Sequence, residues 1–127
     1  MIIRIRMASK YLKIEETVRK SLSKKLGKDI VKRKLPIPCG SEHEFDGVSP
    51  EGDILIEIKA STVPTKGELR HTQLAEMCEA CLLLMSIGSA KRRILALSDV
   101  GFHNLFIRTM QAKAALSVGI EIMLVND

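Results

Sequence analysis

Residues Glu42–Ser61 read EHEFDGVSPEGDILIEIKAS, and the arrangement that we expect for the rest of the chain follows from them. Two short extended segments flank a turn that contains Pro50 and Gly52, which predicts a β-hairpin. The second segment is apolar on both faces except at Glu57 and Lys59, as is typical of a central strand. Buried charges are costly unless they are paired or bind a metal. These charged side chains therefore indicate a functional site.

Asp46 in the first strand and Glu57 in the second are candidate metal ligands. Residues two apart in a strand share a face, so Glu57 and Lys59 project together. A hairpin sets its strands side by side, which would bring Asp46 within metal-bridging distance of Glu57. Carboxylate oxygens favour Mg²⁺ or Mn²⁺, and Lys59 would stabilise negative charge on phosphorus. The pattern predicts a metal-dependent phosphodiesterase; an ion-pair network without catalysis is the alternative. His43 alternates away from Asp46, so we do not expect it to be a ligand.

The segments around the hairpin predict one α/β domain over residues 1–127. We expect a short edge strand at 2–6, strands at 29–37, 43–48, 53–60, 92–98 and 119–125, and helices at 9–26, 67–87 and 101–117. Ser9 and Asp99 are candidate helix N-caps, and Gly27 would end the first helix. Hairpin strands followed by strand–helix–strand units imply a mixed central sheet flanked by helices.

The first helix has an apolar stripe on one side. Its members recur at three- and four-residue steps and are Tyr11, Ile14, Val18, Leu22 and Leu26. They span roughly 120° of the helix surface. Glu15 falls inside this arc and Glu16 falls outside it. We therefore expect Glu15 to face the core and Glu16 to face water.

The composition, with 46% hydrophobic and 28% charged residues, is that of a soluble globular protein. Aromatic residues make up only 3%, which argues against stacking platforms for single-stranded bases. The start of the chain has no continuous apolar run, so we expect neither a signal peptide nor a membrane span. Three cysteines without a disulfide pattern indicate reduced thiols in the cytoplasm. Cys78 and Cys81 form a C-x-x-C on an apolar helix face, where we expect two small core residues.

The positive charge is concentrated at one end of the chain. Residues 1–34 hold 12 Lys and Arg against 3 acidic residues, whereas residues 35–127 hold 8 against 12. A basic segment of this kind is a candidate polyanion-binding surface, and a solvated helix face is the alternative. Lys20 and Lys24 on the first helix are candidate nucleic-acid contacts. Arg70 and Gln73 at the start of the second helix are further candidates, with helix capping or surface solvation as the alternative.

The segment EFDGVSPEGDILIEIKAS resembles the active-site hairpin of the PD-(D/E)XK, or restriction endonuclease-like, nuclease superfamily. The superfamily core runs α-β-β-β-α-β, which matches residues 9–98, and the added helix and strand that follow are a common extension. The resemblance implies metal ligation by Asp46 and Glu57 and a catalytic role for Lys59. It also implies a metal contact from the backbone carbonyl of Ile58, and Glu15 matches a glutamate that many members add from the first helix.

The resemblance also carries an expected activity. It implies a Mg²⁺- or Mn²⁺-dependent endonuclease that hydrolyses phosphodiester bonds of structured or duplex DNA in repair, recombination or defence. Short archaeal Holliday-junction resolvases are similar in length and core, as are uncharacterised archaeal proteins with a VDGV…EIK hairpin. Gln73 resembles a glutamine of RecB-like exonucleases. We expect a homodimer, because a duplex presents two strands and one chain holds one site, and a protein partner could supply specificity. The alternatives are a catalytically silent nucleic-acid-binding subunit and an RNA nuclease.

Overall fold

The computed structural model describes the backbone of residues 2–126 and the side chains of residues 9–126. The elements in chain order are α1 (Ile2–Leu26), β1 (Val31–Pro36), β2 (Glu42–Val48), β3 (Ile54–Lys59), α2 (His71–Met85), β4 (Arg92–Leu97), α3 (Val100–Phe106), α4 (Met110–Ser117) and β5 (Ile120–Leu124). None of the helices within residues 2–126 is long and apolar enough to cross a membrane.

The five strands form one mixed sheet in the order β1-β2-β3-β4-β5. β1, β2 and β3 form an antiparallel meander, and β3, β4 and β5 run parallel to one another. Each parallel connection carries helix: α2 joins β3 to β4, and α3 with α4 joins β4 to β5. This confirms the expected α/β class, with a mixed central sheet whose hairpin comes first.

The sheet is covered on both faces, as expected. Alternation along β3 sends Ile54, Ile56 and Ile58 to the face covered by α1, where Val18 and Leu22 pack. Leu55 points to the other face, where the buried side chains of α2, α3 and α4 lie. Glu57 and Lys59 follow Leu55 at steps of two, so they share its side of the strand. Burial of each large apolar side chain contributes about 1.5–3 kcal/mol, which fixes β3 in the middle of the core.

The expected edge strand at residues 2–6 was wrong, because α1 begins at Ile2. The alternation of isoleucine and arginine favours a strand, but no proline or glycine lies between Ile2 and Leu26 to interrupt a helix. Arg, Met, Ala and Lys are strong helix formers, so the helix extends through Ser9 rather than starting there. Gly27, with a φ of 66°, ends α1 as predicted.

The single helix expected at residues 101–117 is two helices. Asp99 caps α3 as predicted, accepting a hydrogen bond of 2.8 Å from the backbone N–H of Phe102. Thr109 then caps α4, because its hydroxyl accepts from the N–H of Ala112 at 3.1 Å and donates to the carbonyl of Phe106 at 2.7 Å. Threonine at an N-cap starts a new helix, so the chain turns at this point.

The second helix is shorter than expected, and one of its cysteines is not in the core. Gly67 has a φ of 75° and lies in the loop before α2. Cys81 is half-buried and packs against the core of this face, whereas Cys78 is exposed. The expectation of two core cysteines was therefore wrong for Cys78, because it lies at the edge of the apolar stripe of α2.

Candidate active site

The site lies where β2 and β3 separate. Backbone pairing between these strands is confined to Gly47 with Ile56 and Val48 with Leu55, among the residues that the structure describes. Beyond this point a side chain of β2 accepts a hydrogen bond from the backbone of β3: the N–H of Ile58 donates to Oδ2 of Asp46 at 2.8 Å. Side chains and backbone polar groups of β3 therefore line an opening between the two strands.

A β-bulge in β2 shapes this opening. The pairing of β2 with β1 shifts by one residue between Phe45 and Val48. Both of these residues lie in the same core cluster although they are three apart. A bulge re-aims side chains and often lies beside an active site, and here it turns Asp46 towards β3. Gly47 permits it, because a Cβ at this position would lie 2.7 Å from Cγ2 of Ile30.

Glu57 is a buried carboxyl group beside a second carboxyl group. Only 5% of the residue is exposed. Burial raises its pKa from 4.5 to about 9, and the charge of Asp46 and a hydrogen bond with it act in the same direction, while the charge of Lys59 opposes them. The structure therefore brings Asp46, Glu57 and Lys59 together, as the sequence predicted. Burial and the neighbouring Asp46 therefore favour the protonated form of Glu57 when no cation is bound.

His43 lies against Glu57, which the alternation argument did not predict. Its Nε2 is 2.6 Å from Oε1 of Glu57. The imidazole packs edge-to-face on Phe45, with ring centroids 4.7 Å apart and planes at 87°. The argument placed His43 relative to Asp46 on an undisturbed strand, but the bulge lies between Phe45 and Val48 and changes which side chains share a face. His43, which was not expected to belong to the site, therefore contacts Glu57, which was predicted to be a metal ligand.

Glu15 faces the core and Glu16 is exposed, as predicted. Oε1 of Glu15 accepts from Arg19 at 2.6 Å and lies 3.0 Å from the ammonium of Lys32. Arg19 also donates from Nε to the carbonyl of Asp46 at 2.8 Å. Arg19 thus ties α1 to the bulge, and Glu15 lies close enough for its charge to contribute to the raised pKa of Glu57.

Tyr11 reaches the opening from one turn before Glu15. Its hydroxyl donates to the carbonyl of Ile58 at 3.0 Å. Burial, and then the nearby negative charges led by Asp46, raise the pKa of Tyr11 to about 12. The hydroxyl therefore stays protonated and remains a donor at any physiological pH. The carbonyl of Ile58, which the resemblance assigns to a metal, therefore accepts a hydrogen bond from Tyr11 in this structure.

The donor chemistry of the site fits a hard divalent cation. Asp46 and Glu57 supply carboxylate oxygens, and their mutual repulsion is the kind that a cation relieves. Within residues 9–126 no group of three or more His, Cys, Asp or Glu side chains is arranged to hold a metal ion. A cation here would depend on the two carboxylates, with the remaining positions for backbone oxygen, water or phosphate, as Mg²⁺ commonly has.

The structure does not bring Lys20 and Lys24 to the site. Measured around α1 they lie about 140° and 180° from Glu15. Both side chains are exposed, and Lys20 pairs with Glu16 at 3.2 Å. They lie on the outer side of α1, so any contact with a nucleic acid would be away from the carboxyl groups.

Gln73 has a capping role. Its Oε1 accepts from the backbone N–H of Arg70 at 3.0 Å, and its Nε2 donates to the carbonyl of Thr62 at 3.0 Å. These bonds hold the loop after β3 against the start of α2, which agrees with the structural alternative. The side chain of Arg70 is exposed at the same place.

Local patterns in the sequence could have found some of the residues that were missed. Arg19 follows Glu15 by four residues, the spacing of an intrahelical ion pair. Gly47 inside a strand pattern is a signal for a bulge, and the bulge places His43. Tyr11 lies one turn before Glu15 on the same stripe. Lys32 comes from a separate strand and has no such local signal.

Comparisons of the chain with family models, with curated proteins and with solved structures found no match. The assignment of a function therefore depends on the chemistry of the site and on the arrangement of the elements around it.

Proposed function

We propose that the protein is a Mg²⁺- or Mn²⁺-dependent nuclease that hydrolyses phosphodiester bonds of DNA. The observation that carries this proposal is the buried carboxyl group of Glu57 beside the half-buried carboxyl group of Asp46, with Lys59 on the same side of β3 as Glu57. A carboxyl group with a perturbed pKa beside a lysine is typical of a catalytic site. The rest of the opening provides oxygen acceptors at a place where backbone pairing has stopped.

Each residue of the site has a distinct task in this proposal. When bound, a divalent cation would neutralise negative charge on the phosphate and lower the pKa of a water molecule. Asp46, Glu57 and the carbonyl of Ile58 would hold that cation. Lys59 stabilises the negative charge that develops on the phosphoryl oxygens and orients the attacking water. Glu15, anchored through one oxygen, supplies a further carboxylate at the edge of the opening.

The order of the elements supports placing the chain in the PD-(D/E)XK superfamily. A helix, an antiparallel three-stranded meander, a second helix and a parallel fourth strand follow one another, as in the core of that superfamily. The pair α3 and α4 with β5 corresponds to the added helix and strand. Because superfamily members share the hairpin chemistry and differ in substrate, the fold supports the reaction class more strongly than the choice of DNA.

A groove beside the site supports a polyanionic substrate. It has a volume of about 400 Å³, and its lining includes Lys10, Lys13, Thr17, Thr62 and Ser98 together with Asp99 and the apolar Ile14, Val18 and Val125. Ala60, which directly follows Lys59, also lines it. Ammonium and hydroxyl groups are the usual partners of a phosphate backbone. A DNA strand in this groove would pass the end of β3, next to Lys59, and a homodimer would present one such site to each strand of a duplex.

A cleavage assay tests the proposal. The protein is incubated with supercoiled plasmid, branched DNA and RNA in Mg²⁺ and in Mn²⁺. We expect cleavage of DNA that falls at least 100-fold in Asp46→Ala and Lys59→Ala, since each removes a group that acts on the reacting phosphate. Glu16→Ala and Lys113→Ala are matched controls, because they remove the same kinds of charge from exposed positions away from the site.

The outcomes separate the proposal from its alternatives. Binding of DNA without cleavage in either metal would contradict the enzyme and favour a silent nucleic-acid-binding subunit. Cleavage confined to RNA would keep the site chemistry and replace the substrate. Equal losses in the control variants would show that charge in general, and not the groups of the site, limits the rate.

A further inference from the structure

The contact between His43 and Glu57 has no role in the reaction described above. We propose that His43 is a positioning residue that fixes the Glu57 carboxylate for cation binding. This inference rests on the proposed function, because it assigns a role within the same site. A second-sphere donor of this kind orients a ligating carboxylate, and its removal typically weakens metal binding 10- to 100-fold.

The first support is the distance. Nε2 of His43 and Oε1 of Glu57 are 2.6 Å apart, which is a short hydrogen-bond distance. The side chain of Glu57 is only 6% exposed, so water does not compete effectively for this oxygen. Glutamate has three side-chain torsions, and the imidazole restricts the last of them. The other carboxylate oxygen then has a defined direction.

The second support is that the imidazole itself is held in place. Phe45 is fully buried, and the ring of His43 rests edge-to-face on it. The side chain of His43 is 26% exposed, so it lies at the rim of the site. A rigid donor at the rim positions its partner better than a flexible one, because less conformational freedom is lost.

The third support is a common arrangement of the acidic side chains. Asp46 is anchored through Oδ2 by the N–H of Ile58. Glu15 is anchored through Oε1 by Arg19 and Lys32. Glu57 is anchored through Oε1 by His43. Each of these acidic side chains thus has one oxygen held by a donor or cation of the protein, and His43 is the residue that does this for Glu57.

Mn²⁺ binding to the intact protein, in the absence of nucleic acid, tests this role. Titration followed by electron paramagnetic resonance gives the dissociation constant directly. We expect it to rise 10- to 100-fold in His43→Asn, whose short amide does not reach Glu57. In His43→Gln, whose Nε2 reaches further, we expect the constant to stay within about threefold of that of the unaltered protein. His71→Asn is the control, since His71 is exposed at the start of α2.

Thermal unfolding of the Gln and Asn variants checks that a difference in folding does not explain a difference in affinity. Equal Mn²⁺ affinity of His43→Asn and the unaltered protein would overturn the positioning role. So would a strong hyperfine coupling between Mn²⁺ and a directly bound nitrogen that disappears in His43→Gln, because His43 would then be a ligand. Mn²⁺ binding with the expected pattern, in a protein that cleaves no nucleic acid, would retain the positioning role and refute only the nuclease.

Discussion

Ionising a carboxyl group that is buried beside another carboxyl group costs free energy, and Glu57 is in this position. In the folded chain its pKa is raised to about 9 from an ordinary 4.5. Between these two values the folded state retains a proton that the unfolded state has released. The stability that this proton contributes is complete below the lower value and is lost as the pH rises through the higher one.

We therefore expect the cation-free protein to lose stability between about pH 4.5 and pH 9, by at most about 1.4 kcal/mol per pH unit. Glu57→Gln carries no such proton and should lack this decline. Urea unfolding at several pH values in the presence of EDTA measures it. Mn²⁺ should abolish the decline in the unaltered protein, and identical pH slopes in both proteins would contradict the assignment.

Gly47 permits the bulge because the space around its Cα is too small for a side chain. A Cβ there would lie 2.7 Å from Cγ2 of Ile30 and 3.1 Å from Cβ of Ile56. We expect Gly47→Ala to lower the free energy of unfolding by about 1–3 kcal/mol, as overpacking does. It should also weaken Mn²⁺ binding, since the displaced strand carries Asp46. Gly88→Ala is the control, because no atom lies within 4 Å of that Cβ; an equal effect of both would refute the explanation.

Among the elements, α1 is tied to the bulge through the side chain of Arg19. Arg19 is 17% exposed and donates both to Glu15 and to the carbonyl of Asp46. We expect Arg19→Ala to cost about 1.5–3 kcal/mol, because the carbonyl of Asp46 loses its charged donor and Glu15 keeps only Lys32. Lys20→Ala removes an exposed pair from the same helix and should cost less than about 1 kcal/mol. Urea unfolding compares the two, and equal costs would show that the tie is unimportant.

The elements that the sequence predicted well are those with strong local patterns. The hairpin of β2 and β3 combines a turn with apolar strands, so its position needed no knowledge of the rest of the chain. The start of α1 depended on a competition between alternation and helix propensity over residues 2–8, and propensity prevailed. The break at Thr109 depended on one hydroxyl, which can also lie inside a helix.

Part of the candidate site was also predicted from local patterns in the sequence. Alternation in an intact strand places Glu57 beside Lys59, and the helical period places Glu15 inward. The bulge adds one residue to β2 and shifts its register with β1, which period-two reasoning cannot follow. His43 was therefore missed, whereas Asp46 still reached Glu57. Contacts between distant elements, such as Lys32 with Glu15, require the assembled sheet.

For the whole molecule, charge determines how it would approach DNA. Binding to a duplex should weaken with salt, with a slope of about −0.9 for each phosphate contact. Lys10→Glu with Lys13→Glu removes two cations from the groove beside the site. We expect the slope to become shallower by about 2 units in EDTA, where cleavage is prevented.

Lys113→Glu, on the exposed side of α4, is the control for that measurement. It changes the net charge without altering the groove, so its slope should stay close to that of the unaltered protein. Fluorescence anisotropy of a labelled duplex over a range of salt concentrations gives all three slopes. An equal change for both variants would mean that general charge, and not the groove, guides binding.

The separation of β2 from β3 also affects a single backbone proton. β3 is the middle strand of five, where amide protons normally exchange with solvent deuterium only on global unfolding. The amide of Ile58 donates instead to the carboxylate of Asp46. Its exchange rate therefore depends on the position of the Asp46 side chain and not on unfolding of the sheet. This amide should be the least protected in the strand, and its protection factor should respond to anything that draws Asp46 away.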